Sequence, residues 1–94
     1  MNEVRVTFEY FAQARAAAGG QAREVVSIAP GTALPELVRR LAAKHGSKLS
    51  ALLLGSPGST IIAVDGTQVS PGDDIKLRGG ETVMIIPPIS GGQP

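Results

Sequence analysis

The sequence predicts an α+β domain in which one main helix packs on one face of a mixed sheet. Three observations lead there. Residues 4 to 10, VRVTFEY, alternate apolar and polar side chains, the period of a half-buried strand. Residues 34 to 42 place apolar side chains at helical spacing. Short apolar runs at 61 to 64 and 82 to 86 are separated by Asp, Gly and Pro, which punctuate strands.

In the first run Val4, Val6, Phe8 and Tyr10 face one way, and Arg5, Thr7 and Glu9 face the other. A loop follows with a short Ala-rich turn, Ala14 to Ala18, stopped by Gly19 and Gly20. Residues 23 to 28, REVVSI, are β-branched and predict a second strand, antiparallel to the first. Pro30-Gly31 turns the chain, and Thr32 is placed to cap a helix whose early turn tolerates Pro35. Leu34, Leu37, Val38, Leu41 and Ala42 form its apolar stripe, with Glu36, Arg39 and Arg40 opposite. Lys44 and His45 fall in the last turn, where positive charge suits the helix dipole, and Gly46 fits the position after it.

Beyond the helix, Leu49 to Leu54 is an apolar cluster too short to assign, and 55 to 59 reads as loop. Residues 61 to 64 predict a buried strand, Asp65-Gly66 a hairpin turn, and Gln68-Val69 a short strand. Pro71-Gly72 turns again, Ile75 and Leu77 pack inward, and Gly79-Gly80 leads into a last strand from Thr82 to Ile86. Strand, strand, helix, strand, short strand, strand is the order of the β-grasp, or ubiquitin-like, fold. Residues 1–88 form this domain and 89–94 a flexible tail.

Composition excludes several functions. Net charge is +1 with the basic residues scattered, so the basic stripe of a nucleic-acid binder is missing. Phe8, Tyr10 and Phe11 are the only aromatics, too few for a base-stacking platform. No apolar run approaches the roughly 20 residues that span a bilayer, and Met1 to Val4 lacks the features of a signal peptide. The expectation is a cytoplasmic protein without a nucleic-acid or membrane partner. His45 is the sole histidine and cysteine is absent, so a helix-end role outweighs a metal site and no disulfide forms. Without a thiol, any sulfur the chain carries cannot sit on a side-chain persulfide. Asp73-Asp74 reads as a solvated turn rather than a catalytic carboxylate pair, and Lys76 and Arg78 as an edge that either meets water or an acidic partner.

The chemistry lies in the ending, IIPPISGGQP. With Val83 and Ile85 inward, Met84 and Ile86 point outward and form an apolar docking patch beside the tail. Pro87 and Pro88 end the sheet pairing and stiffen the chain that leaves it. Residues 89 to 92 then reach roughly 13 Å at about 3.3 Å per residue. Gly91 and Gly92 lack Cβ atoms and pass a constriction that other residues would block. A stiff base and a side-chain-free tip suit a carboxylate delivered into a partner's active site. An ionised carboxylate needs activation, and the chain has no GxxxxGK[ST] phosphate loop; Gly55-Ser56-Pro57-Gly58-Ser59 lacks the lysine. ATP is therefore used by a partner, and this chain binds no cofactor.

These residues carry a resemblance. Phe11-Ala12-Gln13-Ala14-Arg15, Ile62-Ala63-Val64-Asp65 and the segment from Val69 to Gly92, above all its end from Gly80-Glu81 through Pro87-Pro88-Ile89-Ser90-Gly91-Gly92, resemble the ThiS/MoaD sulfur carriers, most nearly the branch serving as small subunit of molybdopterin synthase. The resemblance covers nearly the whole chain and implies the β-grasp fold. Asp65 replaces the Asn of many relatives, and Gln93-Pro94 follow the diglycine where most relatives stop.

It also implies a cycle in which a ubiquitin-activating-type adenylyltransferase activates the carboxylate of Gly92 and a sulfur donor converts it to a thiocarboxylate. The tail, with Pro87, Pro88, Ser90 and Gly91 for threading, then enters the large synthase subunit. The chain is a carrier with no catalytic residues of its own. While Gln93 and Pro94 are attached Gly92 is an amide, so a processing peptidase is expected to remove them; an inert extension is the other reading. A sulfur carrier for cysteine or thiamine synthesis, or a protein modifier conjugated through Gly92, shares the same tail chemistry.

Overall fold

The computed structural model describes residues 3–55, 60–70 and 72–88. Strand β1 (Val4–Tyr10), the short helix α1 (Gln13–Ala17) and strand β2 (Arg23–Ile28) open the fold. A two-residue strand β3 (Thr32–Ala33) leads into the main helix α2 (Leu34–His45), followed by α3 (Ser47–Ser50) and a π-helical turn at Ala51–Gly55. Strands β4 (Ile61–Val64), β5 (Thr67–Val69), β6 (Lys76–Leu77) and β7 (Thr82–Ile86) complete it.

Five strands make the main sheet in the order β2-β1-β7-β4-β5, and β3 pairs with β6 in a small second sheet. β1 runs antiparallel to β2 and parallel to β7, so the first and last strands lie side by side at the centre. This is the mixed sheet of a β-grasp fold, as the element order predicts.

Alternation decides which face is covered. Val6, Phe8 and Tyr10 of β1 and Val83 and Ile85 of β7 are buried together with Leu34, Leu37, Val38 and Leu41 of α2. The helical stripe read from the sequence is the stripe that packs. Glu36, Arg39 and Arg40 are exposed on the other side.

Four local expectations are corrected. Thr32 does not cap α2: it lies in β3, opposite Leu77, and its hydroxyl donates to the carbonyl of Ala29 at 2.6 Å. Ala33 takes the cap position with extended backbone and no side-chain bond, while the Leu34 N–H is satisfied by the Ile75 carbonyl at 2.7 Å. A backbone partner from the neighbouring segment replaces the hydroxyl. The Ala-rich turn is a helical turn, α1, beginning one residue earlier at Gln13. The unassigned cluster 49 to 54 is helical, and it buries Leu49 and Leu53 under the core. Finally, Ile61 is not a buried strand residue: it is 41% exposed.

Candidate functional site at the end of the last strand

Everything that aims the C-terminus is set by how β7 begins and ends. At its start the chain makes a glycine turn. The carboxylate of Glu81 accepts the backbone N–H of Arg78 at 2.8 Å and of Gly79 at 2.7 Å. Burial alone would raise the Glu81 carboxyl, but these backbone donors outweigh it and hold it below its ordinary value. Gly79 has φ +118, and a Cβ there would lie 2.6 Å from Cβ of Val4, so the turn can press against β1 only with glycine. Gly80 N–H then donates to the Arg5 carbonyl at 2.7 Å and Thr7 N–H to the Glu81 backbone carbonyl at 3.0 Å, fixing the register Thr7 opposite Thr82.

From the other side, the Asp65-Gly66 turn grips the same point. Asp65 (φ 49) and Gly66 (φ 86) both have the positive φ of a tight hairpin turn. The Asp65 carboxylate accepts the Thr82 N–H at 2.9 Å, and the Asp65 N–H donates to the Thr82 carbonyl at 2.9 Å. An Asn side chain would offer the same acceptor oxygen and also tolerates positive φ.

The predicted split of β7 holds: Val83 and Ile85 are fully buried, and Met84 and Ile86 lie on the outer face, each half-buried. Met84 sits opposite Ala63, and Ile86 opposite Ile61. The outer apolar patch therefore includes the exposed Ile61 of β4 as well, with the buried Ala63 beneath its edge beside Met84. The signal was present, since 61 to 64 is apolar at every position and one face of it had to look outward.

At the end of the strand, the Phe11 N–H donates to Ile85 at 3.1 Å. Pro87 is buried against the body rather than projecting from it, and Pro88 is exposed. The Gln13 side-chain amide donates to the Pro88 carbonyl at 3.0 Å. Beside this point lies a cleft of about 420 Å³ lined by Glu9, Tyr10, Phe11, Arg15, Ala22 and Arg23. Ser90, Gly91, Gly92, Gln93 and Pro94 lie outside the described residues.

One polar cluster escaped the sequence reading. Glu24 is 7% exposed, on the inward face of β2, where it accepts the Tyr10 hydroxyl at 2.8 Å and meets His45 Nε2 at 2.8 Å and Lys44 Nζ. Its inward register, in step with Val26 and Ile28, was the available signal. Among the described residues no group of three or more His, Cys, Asp or Glu could hold a metal ion, and no helix is long and apolar enough to cross a membrane.

The model of the ThiS family matches residues 8–92. The chain belongs to the ThiS family. No curated protein matches it. Among solved structures it is similar to a Pyrococcus furiosus protein described as a candidate molybdopterin converting factor, subunit 1. The two are 29% identical over 92% of this chain and 99% of that one, with a TM-score of 0.75. It is also similar in fold to the small archaeal modifier protein 1 of Methanosarcina acetivorans (23% identical, 98% and 100% covered, TM-score 0.71). A chain of the Amycolatopsis orientalis BexX/CysO complex shares the fold too (22% identical, 93% and 99% covered, TM-score 0.66). This ThiS-family chain thus has the β-grasp fold that its sequence predicts.

Proposed function

We propose that this chain carries sulfur as a thiocarboxylate on Gly92 for the synthesis of a molybdenum or tungsten pterin cofactor, after a peptidase removes Gln93-Pro94. The observation that carries the reading is the continuity of β7 with Pro87-Pro88-Ile89-Ser90-Gly91-Gly92 inside the matched family segment. The likeness to the Pyrococcus protein favours the pterin branch over the other sulfur-accepting pathways.

The chemistry balances without a catalytic group on this chain. A ubiquitin-activating-type partner binds ATP; the Gly92 carboxylate attacks the α-phosphate, forming an acyl adenylate and releasing pyrophosphate. Sulfide attacks the acyl carbon, AMP leaves with the electrons of the broken C–O bond, and sulfur takes the place of one oxygen. In the last step the thiocarboxylate sulfur bonds to a pterin precursor held by the large subunit of a molybdopterin synthase. Water attacks the acyl carbon of the resulting thioester, the C–S bond breaks with its electrons going to sulfur, and Gly92 returns as a carboxylate. The folded body is the handle: Met84 and Ile86 dock the partners, and Pro87, Pro88, Ser90 and Gly91 thread the tail.

The test is intact-mass analysis after incubation with the adenylyltransferase, ATP and sulfide. The chain ending at Gly92 is expected to exchange one oxygen for one sulfur, and the chain ending at Pro94 to stay unchanged. Thiocarboxylate on the full-length chain overturns the trimming step; heavier conjugates in cell extract, seen as a ladder on a denaturing gel, would instead identify a modifier.

A further inference from the structure

We propose that Gln13 is a positioning residue that sets the direction in which the acyl-carrying tail leaves the body; this rests on the sulfur-carrier reading above. The Gln13 side chain, half-buried on the first turn of α1, bonds the carbonyl of Pro88 at 3.0 Å across 75 residues of sequence. Pro88 offers only an oxygen, so the amide must present its NH2 end.

The consequence follows from backbone geometry. Proline rings fix φ at residues 87 and 88. A residue that precedes proline has a restricted ψ, which constrains residue 87 again. The first free rotation after the sheet is therefore ψ of Pro88. That angle turns the plane of the peptide leading to residue 89, and the Pro88 carbonyl lies in that plane. Holding the oxygen holds the plane. Gly92 is four residues further on, within roughly 13 Å, so a rotation at Pro88 would swing the tip through the whole of that reach.

The start of α1 is arranged for this contact. Ala12 has φ 52 and ψ −131, a combination that side chains other than glycine's rarely adopt. This sharp turn follows directly on the Phe11 N–H bond to Ile85 and brings Gln13 back to the end of β7. Two successive ties, one backbone and one side chain, thus run from the β1–α1 corner to the base of the tail.

The experiment uses Gln13→Ala, Gln13→Glu, which cannot donate, and Gln13→Lys, which restores a donor. On the full chain, the Pro88 carbonyl carbon shift is expected to move in the Ala and Glu variants and to return towards its original value in the Lys variant. On chains ending at Gly92, ATP–pyrophosphate exchange with the adenylyltransferase is expected to show KM raised about two- to fivefold in the Ala variant, with kcat unchanged. Melting temperatures stay together, because the bond is exposed. An unmoved Pro88 shift in Gln13→Ala overturns the anchor. An unchanged KM, or a fall in kcat alone, overturns the positioning role where the parent chain is adenylated. A parent chain that is not adenylated at all refutes the sulfur-carrier reading, and the Pro88 shift still decides the anchor.

Discussion

Glu24 and His45 meet at 2.8 Å beneath the edge of the sheet, and so join the C-terminal turn of α2 to strand β2. Tyr10 and Lys44 complete the same cluster from β1 and α2. Burial on its own would raise the Glu24 carboxyl, but the hydrogen bonds from Lys44, His45 and Tyr10 outweigh it and leave it below its usual value of 4.5. A carboxyl lowered by folding contributes stability that is present above pH 4.5 and lost as the pH falls through the native value. Glu24→Ala strands three polar partners and is expected to cost about 2–4 kcal/mol in urea unfolding at neutral pH. The same variant loses less on acidification than the parent. A parent whose urea midpoint is as high in acid as at neutral pH would contradict this account.

The other end of the pH scale reports on Tyr10. Burial first, then its bond to Glu24 and the charge on that carboxylate, push the phenol far above its ordinary value of 10.0. A raised phenol contributes stability that is complete below pH 10.0 and declines as the pH rises above it. Tyr10 is the only tyrosine and tryptophan is absent, so absorbance reads this one group. Native protein is expected to show no tyrosinate band where unfolded chain already does, and alkaline titration should coincide with unfolding.

Gly79 and Gly80 separate two effects of a side chain. At Gly80 (φ +87) a Cβ meets nothing within 4 Å, so Gly80→Ala is expected to cost only the backbone strain, about 1–2 kcal/mol. At Gly79 the same strain is joined by a 2.6 Å clash with Cβ of Val4. Gly79→Ala should therefore cost at least about 1–3 kcal/mol more than Gly80→Ala, by overpacking. Adding Val4→Ala should not rescue it, because the offending Cβ remains. Rescue in thermal unfolding would show that the clash lies with the Val4 methyl groups, at 3.0 and 3.1 Å, and not with its Cβ.

The fold was legible because its signals are periodic. The alternation in β1 and β7 and the stripe on α2 gave the faces that pack, and Asp65-Gly66 gave its hairpin. What escaped was of another kind. Thr32 has the chemistry of a cap, yet the carbonyl of Ile75, distant in sequence, took the helix N–H instead. The sequence marks Glu24 only as part of a strand, and the register of that strand places it against Tyr10 and His45. Gln13 stood inside the family match, but its bond to Pro88 spans the chain and has no local trace. Periodicity reports burial; it does not report which polar atoms meet.

The outer patch makes the last prediction. Met84 and Ile86 of β7 lie opposite Ala63 and Ile61 of β4, directly beside the base of the tail. Such half-buried apolar groups at the centre of a contact carry most of its affinity, often 2 kcal/mol or more each. Ile86→Asp is expected to weaken binding to the adenylyltransferase more than tenfold by calorimetry, while lowering stability by only about 1 kcal/mol. Val25→Asp supplies the control: Val25 is 56% exposed on the same outer face, but on β2, with β1 between it and β7. Its change should leave binding within about twofold, since rim positions contribute little. Equal losses for both variants would mean that added charge, and not this patch, governs recognition.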